Sequence, residues 1–254
     1  LAGKVSRDPA DAEALRRLHV DGTRAVIDAA AEAGARRLIY ASTSGTVGCS
    51  RYAEHVAGPL SQPCRGVVAG WPYYATKIDA EDVALEPREL PVICLNPSLL
   101  LGPGDVDGSS TEDVRKFLAG SIPSVPRGGM SFVDVRDVAD TFAAAIEHGQ
   151  FRVRYLLGAL NLTLAEFFRR LEALSGVKAP RIRLPPRAEV AGARLMARAA
   201  GWLGREAPID PISVQMAQHF WYLDASAAKD ALGFAPRDPD QTLADTIEDV
   251  RRQG

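Results

Sequence analysis

Sulfur and imidazole are scarce in this chain, and that scarcity removes whole classes of chemistry. The three cysteines, Cys49, Cys64 and Cys94, are odd in number, far apart and without CxxC spacing. Neither a disulfide framework nor a zinc site is expected from such a set, and a reducing cytoplasm is the default compartment. The four histidines form no HxxH or HExxH pattern, so a metal enzyme has no ligand set to start from. No apolar run approaches the roughly 20 residues needed to cross a bilayer. The opening LAGKVSRDPADAEALRR has no apolar core of a secretory signal and no initiator methionine, and it reads like the middle of a protein. A surplus of either charge is missing too. The formal net charge of −2 gives no electrostatic reason to expect nucleic acid or a membrane surface as partner. Lysine is rare: five of the 30 basic residues are Lys and the rest Arg.

What is present is ordinary globular composition, 46% hydrophobic over 254 residues, enough for one large α/β domain or a main domain plus a small lobe. Apolar residues Leu15, Leu18, Val26, Ile27 and Ala30 recur at helical spacing between Asp11 and Ala33, and Gly34 provides a stop. A short β-rich run from Leu38 to Ala41 follows, then the polar cluster STSGTVG and a Gly- and Pro-containing loop from Cys49 to Gly70. Residues Tyr73 to Glu86 read as a helix, LPVICLNPS as a second buried strand, and GPGD as a loop. MSFVDVRDVADTFAAAIEHG reads as a strand and then a helix closed by Gly149. Helices alternating with strands predict a parallel sheet with crossover helices. From about residue 151 the texture changes. RYLLGA is strand-like, and LTLAEFFRRLEALSG is a helix with a Thr163-x-x-Glu166 capping box and Gly176 as its stop. APRIRLPP reads as another short strand, followed by helices around 187 to 204 and 210 to 219 and a last helix from about Thr242.

The chemistry concentrates in WPYYATKID at 71 to 79. Positions i and i+4 of a helix share a face, so Tyr73 and Lys77 can point into one cleft. A phenol titrates at about 10 and is a poor acid or base near neutrality, whereas a nearby ammonium favours the phenolate and draws that value down. Such a tyrosine can take a proton from an alcohol as hydride leaves, or donate one to a carbonyl as hydride arrives. A hydroxyl of ASTSG, just after a strand, is well placed to hold the substrate oxygen, since parallel sheets bind ligands at the carboxyl ends of their strands. Packing of Tyr73 or Tyr74 into the core is the competing reading. In so arginine-rich a chain, a solvated helix face would more often carry Arg than Lys77.

Six segments, in order, resemble the extended short-chain dehydrogenase/reductase family, also called the NAD-dependent epimerase/dehydratase family. They are LAGKVS, HVDGTRAVIDAAAEAGARRLIYASTSGTVG, PYYATK, LPVICLNPSLLLGPGD, FVDVRDVADTFAAAIE and LDASAAKDALGFAP. The resemblance covers nearly the whole chain and is closest to the flavonoid-reductase and hydroxysteroid-dehydrogenase branches. It implies a Rossmann-like doubly wound parallel sheet over residues 1–150 that binds NAD or NADP. Residues 151–254 would form mainly a small α/β substrate lobe, with some segments returning to the main sheet. Carried across by position, Tyr73 becomes the general acid/base and Lys77 its partner, which also holds the nicotinamide ribose. Thr43 becomes the catalytic hydroxyl, with Ser42 and Ser44 as rivals. Ala2, Gly3, Lys4, Ala41, Ser42 and the turn Asn96, Pro97 and Ser98 would border the cofactor. Ser44, Tyr74, Asn96 and Met130 would face substrate.

Departures from the family pattern are informative. No glycine-rich GxxGxxG turn occurs, which implies that about 60 to 90 family residues precede Leu1, together with the residue that chooses between NAD and NADP. His19 stands where the family has Asn beside the cofactor, and it reads equally as a packed, hydrogen-bonded histidine. Met130 stands where nucleotide-sugar epimerases carry a diphosphate-gripping arginine, with Arg127 slightly upstream, and it suits an apolar substrate. Asp134 replaces a usual histidine and is expected to cap the next helix. The leading expectation is an NAD(P)-dependent oxidoreductase acting on a carbonyl or alcohol of a small, fairly apolar molecule. A nucleotide-sugar epimerase or dehydratase is the alternative, and a non-catalytic NAD(P)-binding regulator the second. The resemblance also implies a homodimer built on the YxxxK helix and the one before it. The apolar stripes at 15 to 30 and 78 to 85 fit that and fit core packing equally well.

Overall fold

The computed structural model describes residues 3–86, 89–202 and 210–253. A 3-10 turn at Pro9–Asp11 leads into α1 (Ala12–Arg16), a π-helical turn at Arg17–Asp21, and α2 (Gly22–Glu32). The single regular helix expected over Asp11 to Ala33 therefore carries a π insertion. The buried positions explain it: Leu15, Val20 and Ile27 are five and then seven apart, a spacing that one wide turn brings onto one face. Next come β1 (Leu38–Ala41), a 3-10 turn at Ser44–Thr46, β2 (Cys49–Ser50), α3 (Arg65–Val68), α4 (Pro72–Leu85), β3 (Val92–Pro97) and β4 (Leu99–Leu101). The chain continues through α5 (Glu112–Leu118), β5 (Gly129–Asp134), α6 (Val135–Ala144), β6 (Arg154–Leu157), β7 (Leu160–Thr163) and α7 (Leu164–Ser175). It ends with α8 (Pro186–Trp202), α9 (Pro211–Met216), β8 (Phe220–Trp221), α10 (Ser226–Leu232) and α11 (Pro239–Gln253).

The described strands form two sheets. One is all parallel in the order β1-β3-β6, with Ile39 opposite Ile93 and Leu95 opposite Tyr155. Because both of its faces are covered, Val92 to Leu95 of β3 are apolar without alternation. Val92 and Cys94 face Val20 and Ile27 of the first helical segment and Ala80, Val83 and Ala84 of α4. Ile93 and Leu95 face Val138 of α6 and Ala228 and Leu232 of α10. The second sheet runs β2-β8-β5-β4, with β7 antiparallel to β5. Its core is Leu101, Phe132, Phe117, Phe167, Phe168, Leu243 and Ile247, drawn from β4, β5, α5, α7 and α11. The fold is thus α/β and Rossmann-like, with β6 from the later half of the chain lying beside β3.

Local signals behave as their chemistry dictates. Thr163 and Glu166 form a reciprocal capping box at α7, and Gly176 ends that helix in the left-handed region at φ 76. Asp134 caps α6 by accepting from the Arg136 amide, and its fully buried carboxylate also takes Arg136 Nε at 2.8 Å. The last helix starts at Pro239, earlier than expected, because proline suits a first turn whose amide needs no partner. The strand expected at APRIRLPP is not one: residues 179–185 are irregular, since Pro180 and Pro185 supply no ladder donors. The expected helix end at residues 203 and 204 lies outside the described residues. Among the described residues no helix is long and apolar enough to cross a membrane.

Candidate active site

The cleft sits at the carboxyl ends of β1 and β3. Helix α4 opens at Pro72, with Trp71 extended just before it (φ −119°), and this sets Tyr73 in the first turn and Lys77 one turn on. Lys77 Nζ donates to the Ala41 carbonyl at 2.8 Å and to the Tyr40 hydroxyl at 3.3 Å, and rides 4.9 Å over the Tyr40 ring. Burial lowers its pKa to about 8, even though Glu81 opposes the fall. The Tyr73 phenol goes the other way, pushed up to about 12 by burial. The lowering expected from YxxxK spacing is therefore not what this geometry gives. The ammonium is drawn to Ala41 and Tyr40 at the strand end, and desolvation decides the phenol.

His19 lies against these two. Its ring meets Tyr73 edge-on with centroids 5.7 Å apart, and Nδ1 is 2.9 Å from Thr76 Oγ1. The Thr76 hydroxyl donates back to the Pro72 or Tyr73 carbonyl at 2.8 and 3.0 Å. His19 Nε2 is buried and without a hydrogen-bond partner. Burial, then the charge of Lys77, lowers the imidazole pKa, so the ring is neutral.

Thr43 is extended and caps the 3-10 turn, its Oγ1 accepting from the Gly45 amide at 3.3 Å. Its hydroxyl proton remains for a ligand in the cleft, a cavity of about 340 Å³ that Thr43 lines together with Ser42, Ser44, Tyr73, Tyr74, Pro97, Ser98 and Met130. Tyr74 and Trp221 form the far wall, rings 4.9 Å apart, with Trp71 stacked behind Trp221 at 5.8 Å. Leu99, Leu164 and Met216 add apolar lining, while Ser109, Ser110, Ser131, Asp113, His219 and the cation of Arg7 add polar and charged groups. Ser98 Oγ is buried there without a partner.

Other expected residues lie elsewhere. Asn96 is fully buried and does not line the cleft. Its Nδ2 donates to Glu81 Oε2 at 2.5 Å and to the Thr43 carbonyl at 3.1 Å. Gly3 and Lys4 are exposed, and Lys4 Nζ pairs with Asp11 at 3.0 Å. Ala2 is outside the described residues. Arg127 packs 6.0 Å over the Phe220 ring and is not part of the cleft lining. Sequence reasoning missed Trp221, which no local pattern links to Tyr74, and Glu81. The signal for Glu81 was available: it stands among Ile78, Ala80, Val83 and Ala84, the buried stripe of α4, where a carboxylate must find partners. Among the described residues no group of three or more His, Cys, Asp or Glu comes together as a metal site.

Fold and site together define a Rossmann-like α/β protein whose cleft is lined by Tyr73 and Thr43, with Lys77 outside that lining, one helical turn from Tyr73 and bonded to Ala41 and Tyr40. The chain belongs to the NAD dependent epimerase/dehydratase family, whose model matches residues 1–158. Among curated relatives, a putative dihydroflavonol 4-reductase of Synechocystis sp. is 29% identical over 251 residues, covering 96% of this chain and 73% of that protein. Cinnamoyl-CoA reductase 1 of Oryza sativa subsp. japonica is 33% identical over 190 residues, covering 68% of this chain and 53% of the rice protein. The crystal structure of gox2253 superimposes over 100% of this chain and 78% of its own, with a TM-score of 0.82 and 29% identity. The family is NAD(P)-dependent.

Proposed function

We propose that the protein moves hydride between NAD or NADP and a carbonyl or secondary alcohol of a small, fairly apolar molecule. One wall of the cleft carries this reading: Tyr73 and Thr43 share a cavity with Tyr74, Trp221, Met130, Met216 and Leu164, so a substrate held there buries apolar surface against that wall, while serines, Asp113 and Arg7 offer polar contacts elsewhere. The likeness to reductases of dihydroflavonol and cinnamoyl-CoA type supports it. Thr43 donates a hydrogen bond to the carbonyl oxygen, and Tyr73 delivers the proton. A phenol held at about 12 is protonated at neutral pH and so carries the proton that carbonyl reduction needs. Lys77, one turn along the same helix face, is the cation on offer to the phenolate left behind.

The residues present fit a nicotinamide cofactor. His19 Nε2 is a buried ring nitrogen without a partner, and the Lys77 ammonium has one proton beyond those given to Ala41 and Tyr40. A ribose hydroxyl pair satisfies both. The cofactor, when bound, supplies or accepts the hydride. Residues 1–150 hold it, and most of 151–254 shapes the substrate side, with β6 completing the parallel sheet.

A nucleotide-sugar epimerase is the second reading. Met130 lines the cleft at the position expected to carry a diphosphate-gripping arginine, which weighs against it, although Arg7 lines the same cleft and is the cation a diphosphate would use there. Purified protein is given NADH or NADPH with a panel of aryl and alkyl carbonyls, and separately NAD with nucleotide sugars. Net loss of nicotinamide absorbance supports reduction, and sugar conversion without it supports the epimerase. Tyr73→Phe should cut turnover about 10²- to 10⁴-fold while leaving cofactor binding intact. Unchanged turnover overturns the assignment, and cofactor binding with no turnover in either protein identifies a regulator.

A further inference from the structure

Glu81 is 1% exposed, yet it is a carboxylate at the centre of the buried face of α4. Oε1 takes the Nε donor of Arg154 from β6. Oε2 takes the Ser42 hydroxyl and, at 2.5 Å, the Asn96 amide, with Thr46 Oγ1 at 3.1 Å. Arg154, 13% exposed, reaches on to the Pro59 and Ser61 carbonyls at 3.4 Å. One ion pair thus ties together the catalytic helix, the ends of β1 and β3, β6 and the loop before α3. Well-packed apolar residues in place of such a pair are commonly neutral or stabilising, so stability alone does not account for it.

The ligands of Glu81 point to another role. Asn96 Nδ2 bridges the two, one proton going to the Thr43 carbonyl at 3.1 Å and the other to Glu81, while the single hydroxyl proton of Thr46 is shared between that carbonyl at 3.0 Å and Glu81 at 3.1 Å. Its charge also lies one helical turn from Lys77. We infer that Glu81, with Arg154 as counter-ion, is a positioning residue that fixes the loop presenting Thr43 and keeps Lys77 an ammonium. This rests on the hydride-transfer reading above.

The groups facing Lys77 are Tyr40 from β1, Cys94 from β3, His19 from the π turn, and Tyr73 and Glu81 from its own helix. Burial holds the Cys94 thiol protonated and His19 neutral. Glu81 is the carboxylate of that set, so it supplies the opposing charge. Burial already takes the Lys77 pKa to about 8 against this pull, and without it the value falls further.

The test uses the full chain carrying ¹³C-labelled lysine. With five lysines in the sequence, each ε-methylene signal can be assigned by substitution. In Glu81→Gln the Lys77 signal should titrate about one pH unit lower, and Glu81→Asp should restore most of the difference. In carbonyl reduction, kcat should fall with little change in KM, and the alkaline limb of the pH–rate profile should move down with Lys77. If Glu81→Gln does not fold, the double variant Glu81→Gln/Arg154→Met removes the unpaired cation and should still show the lowered titration. A Lys77 titration unchanged in the folded variant overturns the inference, whatever happens to kcat. Absence of turnover in the wild type overturns only the hydride-transfer reading, because the lysine titration is read without it.

Discussion

Replacing Lys77 by Met should make the protein more stable at neutral pH while removing its turnover. The ammonium is buried and its pKa is lowered from 10.5 to about 8. A base with a lowered folded pKa binds fewer protons folded than unfolded between those values, so its contribution to stability rises with pH across that window. Below pH 8 the charged form costs about 3 kcal/mol relative to an unburied lysine. Methionine fills the same volume without that cost, but it gives up the bonds to Ala41 and Tyr40, about 1 kcal/mol each. The net expectation at pH 7 is a gain of about 1 kcal/mol. By pH 9.5 the lysine penalty has shrunk by about 2 kcal/mol, and the order of stability should reverse. Cys94 and Tyr73, both raised by burial, also titrate differently folded and unfolded, and their effect cancels in the difference between the two proteins. Urea unfolding of both proteins at pH 7 and 9.5 gives that difference directly. A stability difference that does not move with pH refutes the reasoning, because it would mean that Lys77 is not a desolvated cation.

Gly45→Ala should destabilise by about 1–3 kcal/mol. An added Cβ would overlap Cε1 of Tyr74 and lie 2.6 Å from its Cδ1 and 3.3 Å from Trp221 Cζ3. Since Tyr74 lines the cleft and its ring must shift, KM for substrate should change, and a second change, Tyr74→Leu, should relieve the stability loss in a double-mutant cycle. Asp134→Asn keeps the helix cap but leaves Arg136 with Asp245 alone and weakens the hold on Arg237. Burial works against the Asp134 charge, but the hydrogen bonds from Arg136 and Thr242 outweigh it and hold the carboxyl below its usual range. A depressed carboxylate contributes stability that is full above the unfolded value near 4 and is lost as pH falls through the folded one. The wild type should therefore be the more stable above pH 5, by about 1–2 kcal/mol given the part-exposed Arg136, and acid titration should close the gap.

Much of the fold was legible because the signals are local. LIYA as a strand, the capping box of Thr163 and Glu166, the Gly176 stop and the Asp134 cap all act within one turn or one extended run. Tyr73 and Lys77 on one helix face follow from 3.6 residues per turn. The π insertion was not legible, because it answers to the buried spacing of Leu15, Val20 and Ile27 against a helix 50 residues later. Nor was the irregular backbone at 179–185 separated from a strand, since a few β-formers among prolines look alike until the partner strand is sought.

The sequence by itself determined the alternation of strands and helices, the helix ends and the placing of a phenol and an ammonium one turn apart. Each of these is set by backbone geometry and by side chains a few residues distant. Tertiary structure alone decided what those groups are chemically. Burial raised Tyr73 and lowered Lys77, Trp221 came from 147 positions beyond Tyr74 to close the cleft, and Glu81 found Arg154 across 73 residues. Desolvation and pairing depend on what surrounds a group in space, and a linear chain does not state its own surroundings.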